Sequence, residues 1–283
     1  MVAPDLELCV APRFCGPPGF ANGGFASGAL AALLGAAAEV TLRRPVPLDR
    51  SLRVRPDRDG TLVVEDGGVL LAEARPVDIA VELLAVPGVA MPLLAAPAAV
   101  TPEAADAAAG RSRYYDEPVF PGCFVCGPAR APGDGLRILP GQVAGRALWA
   151  APWTPDPSVA GADGRVRPEV VWAALDCPSG IAAADAAALP AGTAVLLGRM
   201  TANLGELPRP GDRCRVIAWP LGRDGRKLAA GSALLSLGGA VLAAAEAVWI
   251  TVPSPLSGPG RPRRGTGEGA VRPDALSNRG GPG

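Results

Sequence analysis

The 283-residue sequence contains no histidine. That absence excludes hydrolases whose serine or cysteine nucleophile needs an imidazole base, and also hydratases and dehydratases that pair histidine with an acid. Lysine is nearly missing as well, Lys227 standing alone, and 27 Lys plus Arg balance 27 Asp plus Glu to a formal charge of +0. A neutral chain gives no reason to expect nucleic acid or a membrane surface as partner. Long apolar runs are absent too, each being broken by Gly, Pro or a charge before it could cross a bilayer. The N-terminal stretch carries Pro4, Asp5, Glu7 and Pro12 where a signal peptide would need an apolar core. A cytoplasmic location is the resulting expectation, with the six cysteines as reduced thiols. Gly-rich phosphate-binding motifs of the Walker or dinucleotide kind are also lacking, and no cofactor is expected.

What is present reads twice. With 49% apolar residues the chain can build a real core. Asn22-Gly23-Gly24 opens an apolar stretch from Phe25 to Leu34, followed by strand-like runs that end at Leu70-Leu71-Ala72-Glu73-Ala74. A second stretch, Arg167 to Gly180, is followed by similar runs that end at Leu242-Ala243-Ala244-Ala245-Glu246-Ala247. Between these markers, Asp49-Arg50 and Arg58-Asp59-Gly60 are answered in the same order by Asp212-Arg213 and Arg223-Asp224-Gly225. Ordered matches with gaps between them are what a duplicated and diverged domain leaves. The expected organisation is a first unit over residues 1–83, a linker over 84–117 and a second unit over 118–252. A disordered Gly/Pro/Ser/Arg tail over 253–283 completes it.

Each unit should place a helix before antiparallel strands. Asn22 is a good N-cap for a buried helix over 24–35, and Val170 to Leu175 begins its counterpart. Strands are expected over 52–55, 61–65 and 69–74, then over 194–204, 213–220, 229–237 and 240–252, turned at Asp-Gly and Gly-Gly pairs. One apolar helix wrapped by a curved antiparallel sheet, made twice, is an α+β plan.

The residues then resemble a known family. A small polar residue or histidine followed by Gly-Gly at a helix start, with Leu-Asp nine residues after the first position and Gly four further on, is similar to the hotdog-fold acyl-CoA thioesterases of the phenylacetyl-CoA thioesterase type. Asn22-Gly23-Gly24 matches the opening of that pattern, and Leu175-Asp176 with Gly180 matches its end. Cys123-Phe124-Val125-Cys126-Gly127, followed by Pro132, Gly133 and Gly135-Leu136, resembles a loop-and-strand segment found ahead of the helix in that group. The resemblance covers residues 14–80 and 118–252 and implies a double hotdog acting on an acyl thioester such as acyl-CoA. In the family a helix N-terminus supplies the backbone N–H that holds the thioester carbonyl, and the carboxylate comes from the helix of the partner unit.

The departures from the pattern are complementary. Nine residues after Asn22 stands Ala31 instead of an acid, and nine before Asp176 the opening is Arg167-Pro168-Glu169 instead of Gly-Gly. Nine residues of helix advance about 13 Å and turn about 180°, so one helix cannot present both groups to one carbon. Pairing the Gly24 end of the first unit with Asp176 of the second leaves one complete site, whereas Glu169 with Ala31 should be dead. Asn22, Gly24 and Asp176 are therefore the expected catalytic residues, and Gly23 is expected to bind substrate. Asp176 would act as nucleophile or as general base for water. The alternative, in which Asn22 merely caps, Gly23 and Gly24 turn the chain and Asp176 is an ordinary helix carboxylate, stays open.

Trp172 lies one helical turn before Asp176 on the same face, and either packs in the core or lines an acyl pocket; Trp149 and Trp153 fall nearby. Cys123 and Cys126 have metal-ligand spacing, but a structural zinc site needs two further ligands, for which Cys9 and Cys15 are the candidates; otherwise they are ordinary loop cysteines, and no metal site is expected. The functional expectation is an acyl-CoA thioesterase-like hydrolase. Its rival is a non-catalytic acyl-thioester-binding or structural hotdog protein. A homodimer of double-hotdog chains is left open.

Overall fold

The computed structural model describes residues 6–35, 37–77, 100–190 and 192–254. Residues 84–99 of the expected linker and, beyond Ser254, the expected tail lie outside the described residues.

Helix α1 spans Gly23–Leu34. It starts where Asn22 accepts a hydrogen bond from Phe25 N–H at 2.9 Å, satisfying one of the orphan donors of the first turn. It stops at Gly35, whose φ of 69° ends the helix in the left-handed region. A short helix α2, Pro102–Ala109, is capped by Thr101 and lies against β7, Trp149–Trp153. Helix α3 runs Pro168–Ala186, beginning on a proline whose missing N–H costs nothing at that position. It also continues through Pro178, where local disruption is expected from the sequence. Two serines help there: Ser179 Oγ donates to Asp176 O at 2.7 Å and Ser232 Oγ to Leu175 O at 2.8 Å. The carbonyls next to the break are thus held by side-chain hydroxyls.

The remaining strands are β1 Leu6–Leu8, β2 Ala38–Leu42, β3 Leu52–Pro56, β4 Leu62–Asp66, β5 Val69–Pro76, β6 Gly141–Gln142, β8 Thr193–Leu204, β9 Cys214–Asp224, β10 Lys227–Leu235 and β11 Val241–Pro253. All pair antiparallel in one 11-stranded sheet ordered β1-β3-β4-β5-β2-β8-β11-β10-β9-β7-β6. The turn residues are those the sequence supplies: Asp59, Gly60, Gly67, Gly68, Gly225 and Gly239 all have positive φ.

Both halves share one topology. β1, α1, β2, β3, β4 and β5 follow one another, and in space the strands lie first, third, fourth, fifth, second. From β7 through α3 to β8, β9, β10 and β11 the spatial order is again first, third, fourth, fifth, second. The halves meet through their second strands, β2 and β8, with Val40 opposite Met200. On the outer side of that seam Val40 faces Ala74 and Thr41 faces Glu73, while Met200 faces Ala247 and Thr201 faces Glu246.

Both helices lie on the sheet, α1 against β2 and β5 and α3 against β8 through β11, and they also pack on each other. That contact is close because Gly24 and Gly28, four residues apart, present no side chain. A Cβ on Gly28 would lie 2.7 Å from Glu169 Cα, and one on Gly24 would overlap Asp176 Cβ and come within 2.9 Å of Trp172 O. Phe14, Phe25 and Phe124 close the core at one end, the first two stacked at 3.9 Å and Phe124 edge-on to Phe14 at 4.9 Å. No helix among the described residues is long and apolar enough to cross a membrane.

Candidate active site

The helix contact brings Asn22, Gly24 and Asp176 together. Asp176 is 1% exposed. Its Oδ2 accepts from Asn22 Nδ2 at 2.8 Å and from Gly24 N–H at 3.0 Å. Asn22 therefore does two things at once: its oxygen caps α1 and its amide nitrogen holds the carboxylate. The start of a helix carries partial positive charge, so a carboxylate from α3 is well placed at the α1 N-terminus. Asp176 Oδ1, by contrast, has no hydrogen-bond partner among the described residues. A buried carboxylate oxygen left unmatched by the protein is costly unless another group satisfies it. Burial, the largest influence, raises the Asp176 pKa to about 7; the Gly24 and Asn22 hydrogen bonds oppose it and charge on Cys123 adds to it. A carboxyl in that range can exchange a proton near neutral pH.

One detail differs from the sequence expectation. Room for a thioester carbonyl is expected between Gly24 N–H and Asp176, yet the two are directly hydrogen-bonded. A carboxylate buried in an apolar helix needs donors, and the bare Gly24 lets α3 come near enough to take this one. Of the α1 first-turn donors, Phe25 N–H goes to Asn22 and Gly24 N–H to Asp176, while Gly23 N–H reaches no protein acceptor among the described residues.

Gly23, Asn22 and Asp176 all line a cavity of about 590 Å³. Its wall also carries Arg43, Arg44 and Arg113, and Trp249 from β11. Trp172 is not part of that wall; it is 3% exposed and packs against Gly28 in the helix contact. It serves packing, one of the two roles the sequence allowed.

The cysteine loop also reaches this wall. The segment after Cys123 forms turns instead of the strand suggested by resemblance, because Leu136 N–H and Ile138 N–H bond back to Phe124 O and Val125 O within the same loop. Phe124 N–H bonds to Cys15 O at 2.7 Å and ties the loop to the first half. Cys123 and Cys126 thereby meet Cys177 of α3, and the three Sγ atoms lie within 4.8 Å of one another. Cys9 and Cys15, the partners expected from sequence, are not in the cluster. Cys177 gave no spacing signal, since it is a helix residue some fifty positions away; its only hint was standing next to Asp176. Hydrogen bonding with Cys126 and Cys177 holds the Cys123 thiol well below the usual range, and the same contacts together with burial hold Cys126 and Cys177 well above it.

No family model and no curated protein matches the chain. Among solved structures, a putative thioesterase from Novosphingobium aromaticivorans aligns over 86% of this chain and 94% of its own at 14% identity, with a TM-score of 0.51. That span includes both halves. The fold is the hotdog fold. A Haemophilus influenzae thioesterase (14% identity, 40% of this chain, 78% of its own, TM-score 0.36) and a Streptococcus mutans protein bound to acetyl-CoA (9%, 38%, 84%, 0.34) align over smaller shares of this chain. At 14% identity the Novosphingobium aromaticivorans likeness shows the fold alone, and the chemistry is left to the residues of this chain.

Proposed function

We propose that the chain is a duplicated hotdog whose halves, near residues 1–83 and 118–252, together form one acyl-thioester hydrolase site. The shared strand order and the matching registers of Glu73 with Thr41 and Glu246 with Thr201 support the duplication. The observation that carries the function is Asp176: a buried carboxylate from one half that lines the cavity, is bonded to the helix start of the other half and keeps one oxygen unmatched by the described residues. In this reading Gly23 N–H takes the oxyanion. Such a donor is typically worth about 3 kcal/mol to the transition state. Asp176 attacks the carbonyl or draws a proton from water, with Asn22 and Gly24 holding it in place. Arg44 at the cavity wall, beside Arg43 and Arg113 with their exposed ion pairs to Glu73 and Asp185, suits a phosphate-bearing carrier such as coenzyme A. The test is hydrolysis of acyl-CoA esters across chain lengths by wild type and Asp176→Asn. Turnover by wild type that is lost in the variant supports the reading.

One observation favours a second reading, a non-catalytic acyl-thioester binder: the Gly24 N–H already belongs to Asp176. Tight acyl-CoA binding by a wild type that turns over none of the esters would establish it.

A further inference from the structure

We propose that Cys123, Cys126 and Cys177 form a three-thiolate site for one zinc ion, with the fourth coordination position open to the cavity. Three facts carry this. Zinc bound by thiolates at about 2.3 Å in a tetrahedron needs sulfur–sulfur edges of about 3.8 Å. Cys123 Sγ and Cys177 Sγ are 3.7 Å apart, far beyond a disulfide, and all three sulfurs lie within 4.8 Å of one another. The ligands come from two rigid sources, a turn closed by Gly127 N–H to Cys123 O at 2.9 Å and the middle of α3. A site assembled this way does not depend on a flexible partner. Finally, Cys123, Cys126 and Cys177 all line the same cavity as Asp176. Three protein ligands facing a cavity are the arrangement of a zinc centre that keeps a position for water or substrate, whereas a purely structural site closes with a fourth protein ligand.

The chemistry balances simply. Each thiol that binds the ion releases its proton to solvent, and the ion leaves the sulfurs unoxidised. Asn22 Nδ2 lies 3.5 Å from Cys177 Sγ and Asp176 Oδ2 lies 4.0 Å from it, so the ion would sit beside the carboxylate at the head of the cavity. Neither group is required as a ligand. The inference is independent of the thioesterase reading, since it concerns metal affinity and not turnover.

The experiment is elemental analysis of the full-length protein, purified with a phosphine reductant and without chelator, followed by cobalt substitution. About one zinc per chain is expected, and cobalt should give thiolate charge-transfer absorption together with the visible bands of a tetrahedral ion. Cys126→Ser and Cys177→Ser should each weaken cobalt binding by at least about tenfold, whereas Cys9→Ser, at an exposed site outside the cluster, should leave it unchanged. Added 2-mercaptoethanol should increase the charge-transfer intensity by filling the open position. Wild-type protein that takes up neither ion under reducing conditions overturns the site, whatever the variants do. Retained affinity in a folded Cys126→Ser, or a disulfide between two of the three in the metal-free protein as purified, also overturns it. A cobalt spectrum unmoved by added thiol overturns the open fourth position.

Discussion

The two long helices of this chain begin at equivalent places in one topology and could hardly begin more differently. α1 starts Asn22-Gly23-Gly24: a capping amide, then two residues that bring nothing between the helix end and its neighbour. α3 starts Arg167-Pro168-Glu169, with no side-chain cap, no N–H on the first helical residue and a carboxylate held by Arg167 at 3.4 Å. Nine residues along, the contrast reverses, because α3 carries buried Asp176 where α1 carries Ala31. Only one end of the helix pair therefore combines free positive N–H character with an acid. On the proposed reading, the shared topology offers two equivalent places and the side chains favour one of them for chemistry.

The largest expected effect breaks the comparison at its acid. Asp176→Asn, close in shape to the native residue, should lower thioester turnover by roughly 10²–10⁴-fold while the circular dichroism spectrum is kept. Comparable turnover in that variant would take Asp176 out of the chemistry. A second test fills the helix contact. Gly28→Ala places a methyl against Glu169 Cα and the Trp172 ring, where there is no room, and should cost about 1–3 kcal/mol in denaturant unfolding. Gly24→Ala should cost as much and also abolish turnover, since it pushes Asp176 from its donors.

A smaller effect is expected at the cap. Asn22→Ala loses the bond to Phe25 N–H, worth about 1 kcal/mol, and one of the two donors to Asp176. Its turnover should fall more than its stability does. Titration calorimetry with a non-hydrolysable acyl-CoA analogue would sharpen the asymmetry directly: one site per chain is expected, and two equal sites would refute it.

The smallest effect compares the two halves of the sheet. Glu73 of β5 pairs with Arg43 at 3.0 Å, whereas Glu246, its counterpart on β11, is half-buried and forms no ion pair among the described residues. Burial raises the Glu246 pKa from 4.5 to about 7. The folded protein then holds that proton more tightly than the unfolded chain, so this carboxyl favours folding most at low pH. Its contribution falls between pH 4.5 and about 7 and stays low above that. Glu246→Gln should accordingly be more stable than wild type at pH 8, by less than about 1 kcal/mol given partial solvation, with the difference vanishing toward pH 4.5. An equal gain at both pH values would show that burial of the charge is not the cause.

Much of this was legible in the chain. The strands from β3 to β5 and from β8 to β11 lie within a few residues of expectation, because Asp-Gly and Gly-Gly pairs mark hairpins by local backbone preference alone. β1 and β6 gave no such signal, being three and two residues long and defined only by the strands they pair with. β7 carries Pro152, which argues against a strand, yet Trp149 to Trp153 pairs along β9. The joint use of Asn22, Gly24 and Asp176 could be suspected from complementary losses. That Gly24 N–H would be taken by the carboxylate itself could not, since the sequence does not say how closely two helices approach.

The sequence by itself determined what is local or compositional. No histidine rules out imidazole chemistry, the turn residues set the hairpins, and Asn22 sets the start of α1. Tertiary structure alone decided which distant groups share a space. It put Asp176 on the α1 N-terminus across 152 positions and brought Cys177 to Cys123 across 54. It also moved Trp172 from a pocket candidate into the helix contact. The physical reason is that hydrogen bonds within a turn or helix end depend on neighbours in the chain, while a buried carboxylate or a thiol cluster depends on how two helices and a loop pack.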